Sequence, residues 1–409
     1  MTKPGITLYL HVHQPWRVRR YSIFDTAQRH DYFNDQDHSS ERNNRYILEK
    51  VADKSYRPMN ALLEKLLERH PEFKLSLSIT GTFIEQCEQW APDVLASFQR
   101  LVDTGRVEIV AETYHHSLAF FYSHDEFERQ VALHEQKIQE LFGVKPTAFR
   151  NTELAYNDEL AKWADNHGYK AILAEGWDKV LGWRSPNYLY KPANTHQIGL
   201  LLKNYRLSDD VAFRFSDKQW PQYPLSADTY TEWAETALNN GPLINLFMDY
   251  ETFGEHQWED TGIFPFFEQF VGRWLSGGQH TFYTVSEAAT TFSPAGDISM
   301  PETVTWADTE RDLTAWLGNG MQREAMRYLY SMEDDIIRTG DLGLIADWRN
   351  LLTSDHVYYM CTKWFHDGDV HAYFSPYDSP YDAFLYVMNV IRDLRYRLMA
   401  YHHVGGGHG

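Results

Sequence analysis

The strongest constraint on the fold is an alternation. Over the first 285 residues, short apolar runs take turns with longer amphipathic ones. "ITLYLHVHQP" (6–15), "FKLSLSIT" (73–80), "RVEIVAE" (106–112), "TAFRNTE" (147–153), "KAILAEG" (170–176), the start of "GLLLKNYRLSDD" (199–210) and "PLINLFMDYE" (242–251) read as seven strands. Between them, 57–70, 83–105, 123–143, 157–168 and 229–241 carry apolar residues at helical spacing, and 262–278 follows the last strand in the same way. Gly105, Gly143 and Gly168 stop three of these helices, Pro92 breaks 83–105, and Ser123 with Glu126 has capping-box spacing. Strands alternating with helices imply a parallel α/β sheet.

Polar groups then choose between an open sheet and a barrel. An open sheet gathers its site at one switch point, whereas a barrel spreads it over many C-terminal strand ends. Here His11 and His13 end the first strand and Glu112 the third, followed by His115 and His116. Glu153 ends the fourth, and Glu175 with Trp177 the fifth. The sixth leads into Arg206, Asp209 and Asp210, and the seventh ends in Asp249 and Glu251. That distribution predicts a barrel. Segment 178–240 exceeds one βαβ unit and is expected to carry loops over the mouth. Beyond about residue 290 the pattern becomes long amphipathic stretches, 309–340, 342–361 and 380–403. The expected organisation is a barrel over 1–290, a helical domain over 291–403 and a disordered tail over 404–409.

Charge and cysteines narrow the function classes. The net charge is −19 and the longest basic run is "RVRR" (17–20), so neither nucleic acid nor an anionic membrane is an expected partner, while a neutral substrate is compatible. Cys87 and Cys361 are far apart and form no CxxC, which excludes a cysteine-rich structural zinc site and a disulfide framework. No signal-type apolar run opens the chain and no stretch approaches 18 uncharged apolar residues, so a cytoplasmic location is expected. Aromatics make up 15%, which fits either a large core or a cleft where sugar faces stack on rings.

Glycoside cleavage needs two carboxyl groups. Glu153 and Asp249 each follow an apolar strand, but on spacing alone Glu112, Glu175 and Glu251 are equal candidates, and a single strand-end carboxylate is more often a helix cap or a loop residue. His11 and His13 lie on one face of a strand. With His116 or an Asp they have the makings of a metal set; alternatively they bond a polar ligand or each other.

Five stretches occur in a telling order: "HVHQP" (11–15), "GRVEIVAETYHHSL" (105–118), "FRNTELAY" (149–156), "FMDYETFGEH" (247–256) and "LLTSDHVYYM" (351–360). They resemble the five sequence regions of the α-amylase group in glycoside hydrolase family 57. "NYRLSDDVAFRFS" (204–216) and "TWADTERDLTAWLGN" (305–319) resemble that group as well. The resemblance implies an incomplete (β/α)7 barrel followed by a helical domain, and action on α-glucans such as starch, glycogen or maltooligosaccharides with retained anomeric configuration. It makes Glu153 the nucleophile and Asp249 the general acid/base, and puts His13 against the sugar at the cleavage point. His11, Glu112, His116, Trp177, Asp209, Glu251, His256, Trp306 and Asp355 are expected to bind substrate, with Trp220 and Trp316 as weaker stacking candidates. No cofactor and no metal is expected. Asp249 is expected to be held protonated by a neighbouring carboxylate and Glu153 to be ionised. Three rival readings stand beside hydrolysis: a 4-α-glucanotransferase or branching enzyme of the same family, a metal-dependent deacetylase-like enzyme using His11, His13 and His116, and a non-catalytic glucan-binding protein, against which the retained carboxylate pair argues.

Overall fold

The structure, a computed structural model, describes residues 2–34, 40–363 and 373–405. All seven apolar runs form strands: β1 (Gly5–Val12), β2 (Leu75–Ile79), β3 (Val107–Ile109), β4 (Ala148–Phe149), β5 (Ala171–Glu175), β6 (Gly199–Lys203) and β7 (Leu243–Asp249). Their pairings are parallel and fall into two arcs, β3–β2–β1–β7 and β4–β5–β6. One flank is joined by a bridge between Ala111 and Phe149. At the other, the Asn204 N–H donates to Asn245 O at 2.8 Å. The sheet is thus a curled (β/α)7 barrel, incomplete because two of its junctions carry only these slender links.

An eighth strand, β8 (Thr281–Tyr283), was not read from the sequence. It pairs with Gly5–Thr7 on the edge of β1 opposite β7, the edge that β2 occupies from Tyr9 onward. A three-residue run after a helix and glycines offers too little periodicity to be legible. A further short ladder joins Lys191–Pro192 to Asp297–Ile298.

All eight residues of β1 are buried, as expected of a parallel strand covered on both faces. Inside the barrel Tyr9 meets Phe247 edge to face, ring centroids 5.5 Å apart, and packs with Val110, Ala148, Leu173 and Leu201. Burying side chains of this size contributes about 1.5–3 kcal/mol each. That rigid filling fixes the strand ends, and therefore the side chains that project from them.

The chain divides into two compact units, neither continuous in sequence. The first, Met1–His13, Leu48–Glu112 and Val131–Trp306, contains every strand. The second comprises Gln14–Ile47, Thr113–Gln130 and Ala307–Gly409 and is helical. In it the stretch 309–340 is cut into Thr314–Leu317, Gly320–Ser331 and Glu333–Thr339. Asn319 makes the first cut, its side chain accepting from Gln322 N while its Nδ2 donates to Met360 O. The next stretch breaks between Leu342–Leu351 and Ser354–Tyr358, where Thr353 bridges to Ser117. The last helix, Pro380–Gly405, presents buried Asp393 to the Ala27 N–H, His30 Nδ1 and the Tyr32 hydroxyl. Of the tail expected from 404, residues 406–409 lie outside the described residues. Among the described residues no helix is long and apolar enough to cross a membrane.

Candidate active site

Register alone assembles the centre of the site. The pairing of β1 with β7 sets His11 directly beside Asp249. His11 is buried, its Nε2 3.2 Å from Glu112 Oε2 and its Nδ1 3.7 Å from Asp249 Oδ1. It therefore links the ends of β1, β3 and β7. Its ring stacks on that of His13, centroids 5.7 Å apart. His13 Nδ1 lies 2.9 Å from Thr80 Oγ1, just past β2, and its backbone N–H donates to Glu251 Oε1 at 3.3 Å.

Glu153 is delivered by a strained turn. It sits in Thr152–Leu154 with φ 59° and ψ 25°, and Leu154 follows at φ 50°. Two successive non-glycine residues in the left-handed region cost about 1–3 kcal/mol each, so their surroundings must hold them. Tyr156 and Val304 exchange backbone hydrogen bonds at 2.9 Å, and Trp306 N–H donates to Glu153 O at 3.3 Å. This ladder brings the Trp306 indole over the turn, where Nε1–H donates to Glu153 Oε2 at 2.9 Å.

Beneath these groups lies Arg150, wholly buried. Its Nη1 is 3.4 Å from both Glu112 Oε2 and His11 Nε2, while Nε and Nη2 find no hydrogen-bond partner among the described residues. Its charge acts on Tyr9, Glu112, Glu153 and Asp249 together. Contacts bring the fourth and seventh strand ends together: Trp306, bonded to Glu153, lies with its ring 6.5 Å from that of His11, which touches Asp249.

Proton affinities differ from the sequence expectation. Burial works to raise the Asp249 pKa, but His11 at 3.7 Å, then the charges of His256 and Arg150, outweigh it and hold the carboxyl below its usual range. That direction favours the ionised carboxylate, whereas the sequence reading expected Asp249 to be protonated. The carboxyl pushed up is Glu251, to about 8, by burial first and by the charge of Asp249 second. The Asp249 side chain keeps 42% of its surface exposed, whereas Glu251 is buried and accepts a hydrogen bond from the Tyr56 hydroxyl at 2.5 Å. Spacing showed two carboxylates on one side of a strand end. It carried no information on which of them would face the cations.

The other expected residues are placed as follows. Glu112 is wholly buried against Arg150 and His11. Asp209, in the helix Tyr205–Ala212, accepts from Lys203 Nζ at 3.0 Å. His256 is half-buried, its pKa lowered by burial, and its charge acts on Asp249. Trp177 carries Lys179 Nζ 5.1 Å from its ring centroid. Trp220 meets Trp233 edge to face. His116 and Asp355 belong to the second unit, where a ring nitrogen of one and a carboxylate oxygen of the other lie within 4.8 Å. His116 is buried and Asp355 half-buried. Trp316 is 1% exposed, a core side chain with no face to offer a sugar, and is withdrawn as a stacking residue.

Three residues were missed: Arg150, Lys203 and Tyr56. Arg150 and Lys203 each end an apolar run, a signal that could have been read. Tyr56 had none, since it is aimed by a π-helical turn over Ala52–Tyr56. Gly254, at φ 108°, lies so close to that turn that a Cβ would stand 1.9 Å from Lys54 O, which fits the loop after β7 against it.

The sequence profile described as glycosyl hydrolase family 57 matches residues 7–301. A curated protein of Methanocaldococcus jannaschii named "Putative alpha-amylase" is 42% identical over 403 residues, 96% of this chain and 84% of that protein. Among solved structures, the family 57 branching enzyme of Pyrococcus horikoshii superposes with a TM-score of 0.67 at 16% identity, over 88% of this chain and 86% of that one. The alpha-amylase AmyC of Thermotoga maritima superposes with a TM-score of 0.63 at 13% identity, over 98% of this chain and 96% of its own.

Proposed function

The chain belongs to glycosyl hydrolase family 57, and from that premise we propose that it is a retaining α-amylase cleaving α-1,4-glucosidic bonds of starch- or glycogen-type glucans. The observation that carries the reading is the chain of contacts from Glu153 to Asp249: Trp306 donates to Glu153 at 2.9 Å, its ring lies 6.5 Å from that of His11, and His11 Nδ1 lies 3.7 Å from Asp249. Two carboxylates from different strands serve one centre, as double displacement requires.

In the proposed mechanism a Glu153 oxygen attacks the anomeric carbon. The glycosidic C–O bond breaks, and the leaving oxygen takes a proton from Asp249. Asp249 then takes a proton from water, whose oxygen attacks the anomeric carbon and releases Glu153. Asp249 must first gain the proton that its resting surroundings disfavour. Its exposed surface supplies the means: a sugar covering that surface removes water from the carboxylate and raises its proton affinity.

Products formed from amylose and maltooligosaccharides test this reading. Hydrolysis raises reducing ends, and the first product anomer seen by NMR is α. Redistributed chains with flat reducing ends would make the protein a 4-α-glucanotransferase or branching enzyme, and a β product would refute retention. Against the metal-dependent reading on His11, His13 and His116 stands Arg150, a fixed cation 3.4 Å from the His11 nitrogen that such a metal would use. Dialysis against EDTA is expected to leave turnover unchanged, whereas loss with recovery on zinc would restore that rival.

A further inference from the structure

Trp306 entered as a stacking candidate for sugar, but its surroundings suit another task. Its Nε1–H donates to Glu153 Oε2 at 2.9 Å, and its backbone N–H reaches Glu153 O. Two cations lie over its ring: the Arg150 guanidinium carbon 5.4 Å and Lys203 Nζ 5.5 Å from the centroid. Both are buried, so water screens neither. Lys203 is held by Asp209 at 3.0 Å and by Glu175 at 3.7 Å, and register pairs Glu175 with Lys203 across β5 and β6. A cation on the face of an indole draws density from the ring and leaves the N–H a stronger donor.

We propose that Trp306 is a positioning residue for the nucleophile, and that Arg150 and Lys203 act through its ring to strengthen the hydrogen bond it gives to Glu153. The proposal rests on Glu153 being the nucleophile. A hydrogen bond to the ionised carboxylate favours that form and fixes which oxygen is free to attack. It also explains why Glu153 occupies a left-handed turn, since that backbone presents both its carbonyl and its carboxylate to Trp306. The charged and titratable groups around this corner are Arg150, Glu112, His11, Asp249, Lys203, Glu175 and Asp209.

The test uses α-maltosyl fluoride. A Glu153 oxygen attacks C1 and the C–F bond breaks, its electron pair leaving with fluoride. Fluoride needs little help from an acid, so kcat for the first, pre-steady-state turnover reports nucleophilic attack, whereas later turnovers also need Asp249 to take a proton from water. Trp306→Phe keeps a ring but loses the donor. It is expected to lower kcat for fluoride release about 10- to 100-fold with little change in KM, and to move the acid limb of the pH profile upward. Lys203→Met is expected to lower kcat about 3- to 10-fold, and Lys203→Arg to restore it. Thermal unfolding checks the fold of each, and Trp306→Phe carries the test alone if Lys203→Met does not fold. Trp306→Phe with unchanged kcat and acid limb but raised KM would make the residue a sugar platform and overturn the proposal. A wild-type enzyme that releases no fluoride would instead refute the nucleophile assignment itself, and the proposal with it.

Discussion

Glu112 and Glu126 are both wholly buried carboxylates facing arginines, yet they are built differently. In the second unit Glu126 accepts from Arg349 Nε at 2.8 Å and Nη2 at 3.2 Å, from Arg129 Nε at 2.8 Å and from Gln130 Nε2 at 3.0 Å. Its charge is cancelled at short range. In the first unit Glu112 meets Arg150 through one long 3.4 Å contact, and two guanidinium nitrogens of Arg150 stay without a hydrogen bond among the described residues. A saturated pair has its hydrogen bonds committed to its partners and serves as a fastening. A loose one keeps its field, which here reaches Glu153 and Asp249. The difference between a structural and a functional charge cluster thus lies in distance and saturation, not in residue type.

That contrast can be broken from either side, and the largest effect belongs to the functional side. Glu153→Gln and Asp249→Asn should each lower turnover on amylose at least about a thousandfold, with the unfolding midpoint nearly unchanged. A variant of either kind with near-normal kcat would dissolve the assignment.

The fastening should respond in the opposite sense. Glu126→Leu takes their shared partner from Arg349 and Arg129, both partly exposed, and should cost about 1–3 kcal/mol in denaturant unfolding. Activity of the folded fraction should hold. If the same variant lost activity at unchanged stability, the two clusters would not be distinct in kind.

The smallest effect is a shape in pH. Folding raises the Glu251 pKa from an ordinary 4.5 to about 8, so its contribution is full below 4.5 and is lost as pH rises through 8. Folding lowers the His115 pKa from an ordinary 6.5 to about 3 through burial, so its contribution is full above 6.5 and is lost as pH falls toward 3. Tm should therefore peak between them. Glu251→Gln should flatten the alkaline side alone, and an alkaline slope that survives this substitution would show that Glu251 titrates near its ordinary value.

Much of the site was legible because a strand end is a local event. His11, Glu153 and Asp249 stand where apolar runs stop, and a run read at period two tells where its last side chains project. The same reading failed for Trp316, where an aromatic in an amphipathic stretch suits a cleft or a core equally, and packing chose the core. It failed as well for the capping box at Ser123. The hydroxyl does accept from Glu126 N at 3.1 Å, but the Glu126 side chain is spent on arginines, one of them 223 positions away.

The sequence by itself determined seven strands and their order of polar endings, because periodicity and turn chemistry act over a few residues, and its five ordered motifs carried the resemblance to the family. Only the tertiary structure decided that Trp306 would lie against Glu153, that Arg150 and Lys203 would flank its ring, and that His11 would lower the proton affinity of Asp249 while burial raises that of Glu251. Those outcomes depend on distances through space between residues far apart in the chain, and on which charges water is kept from, quantities that no local pattern encodes.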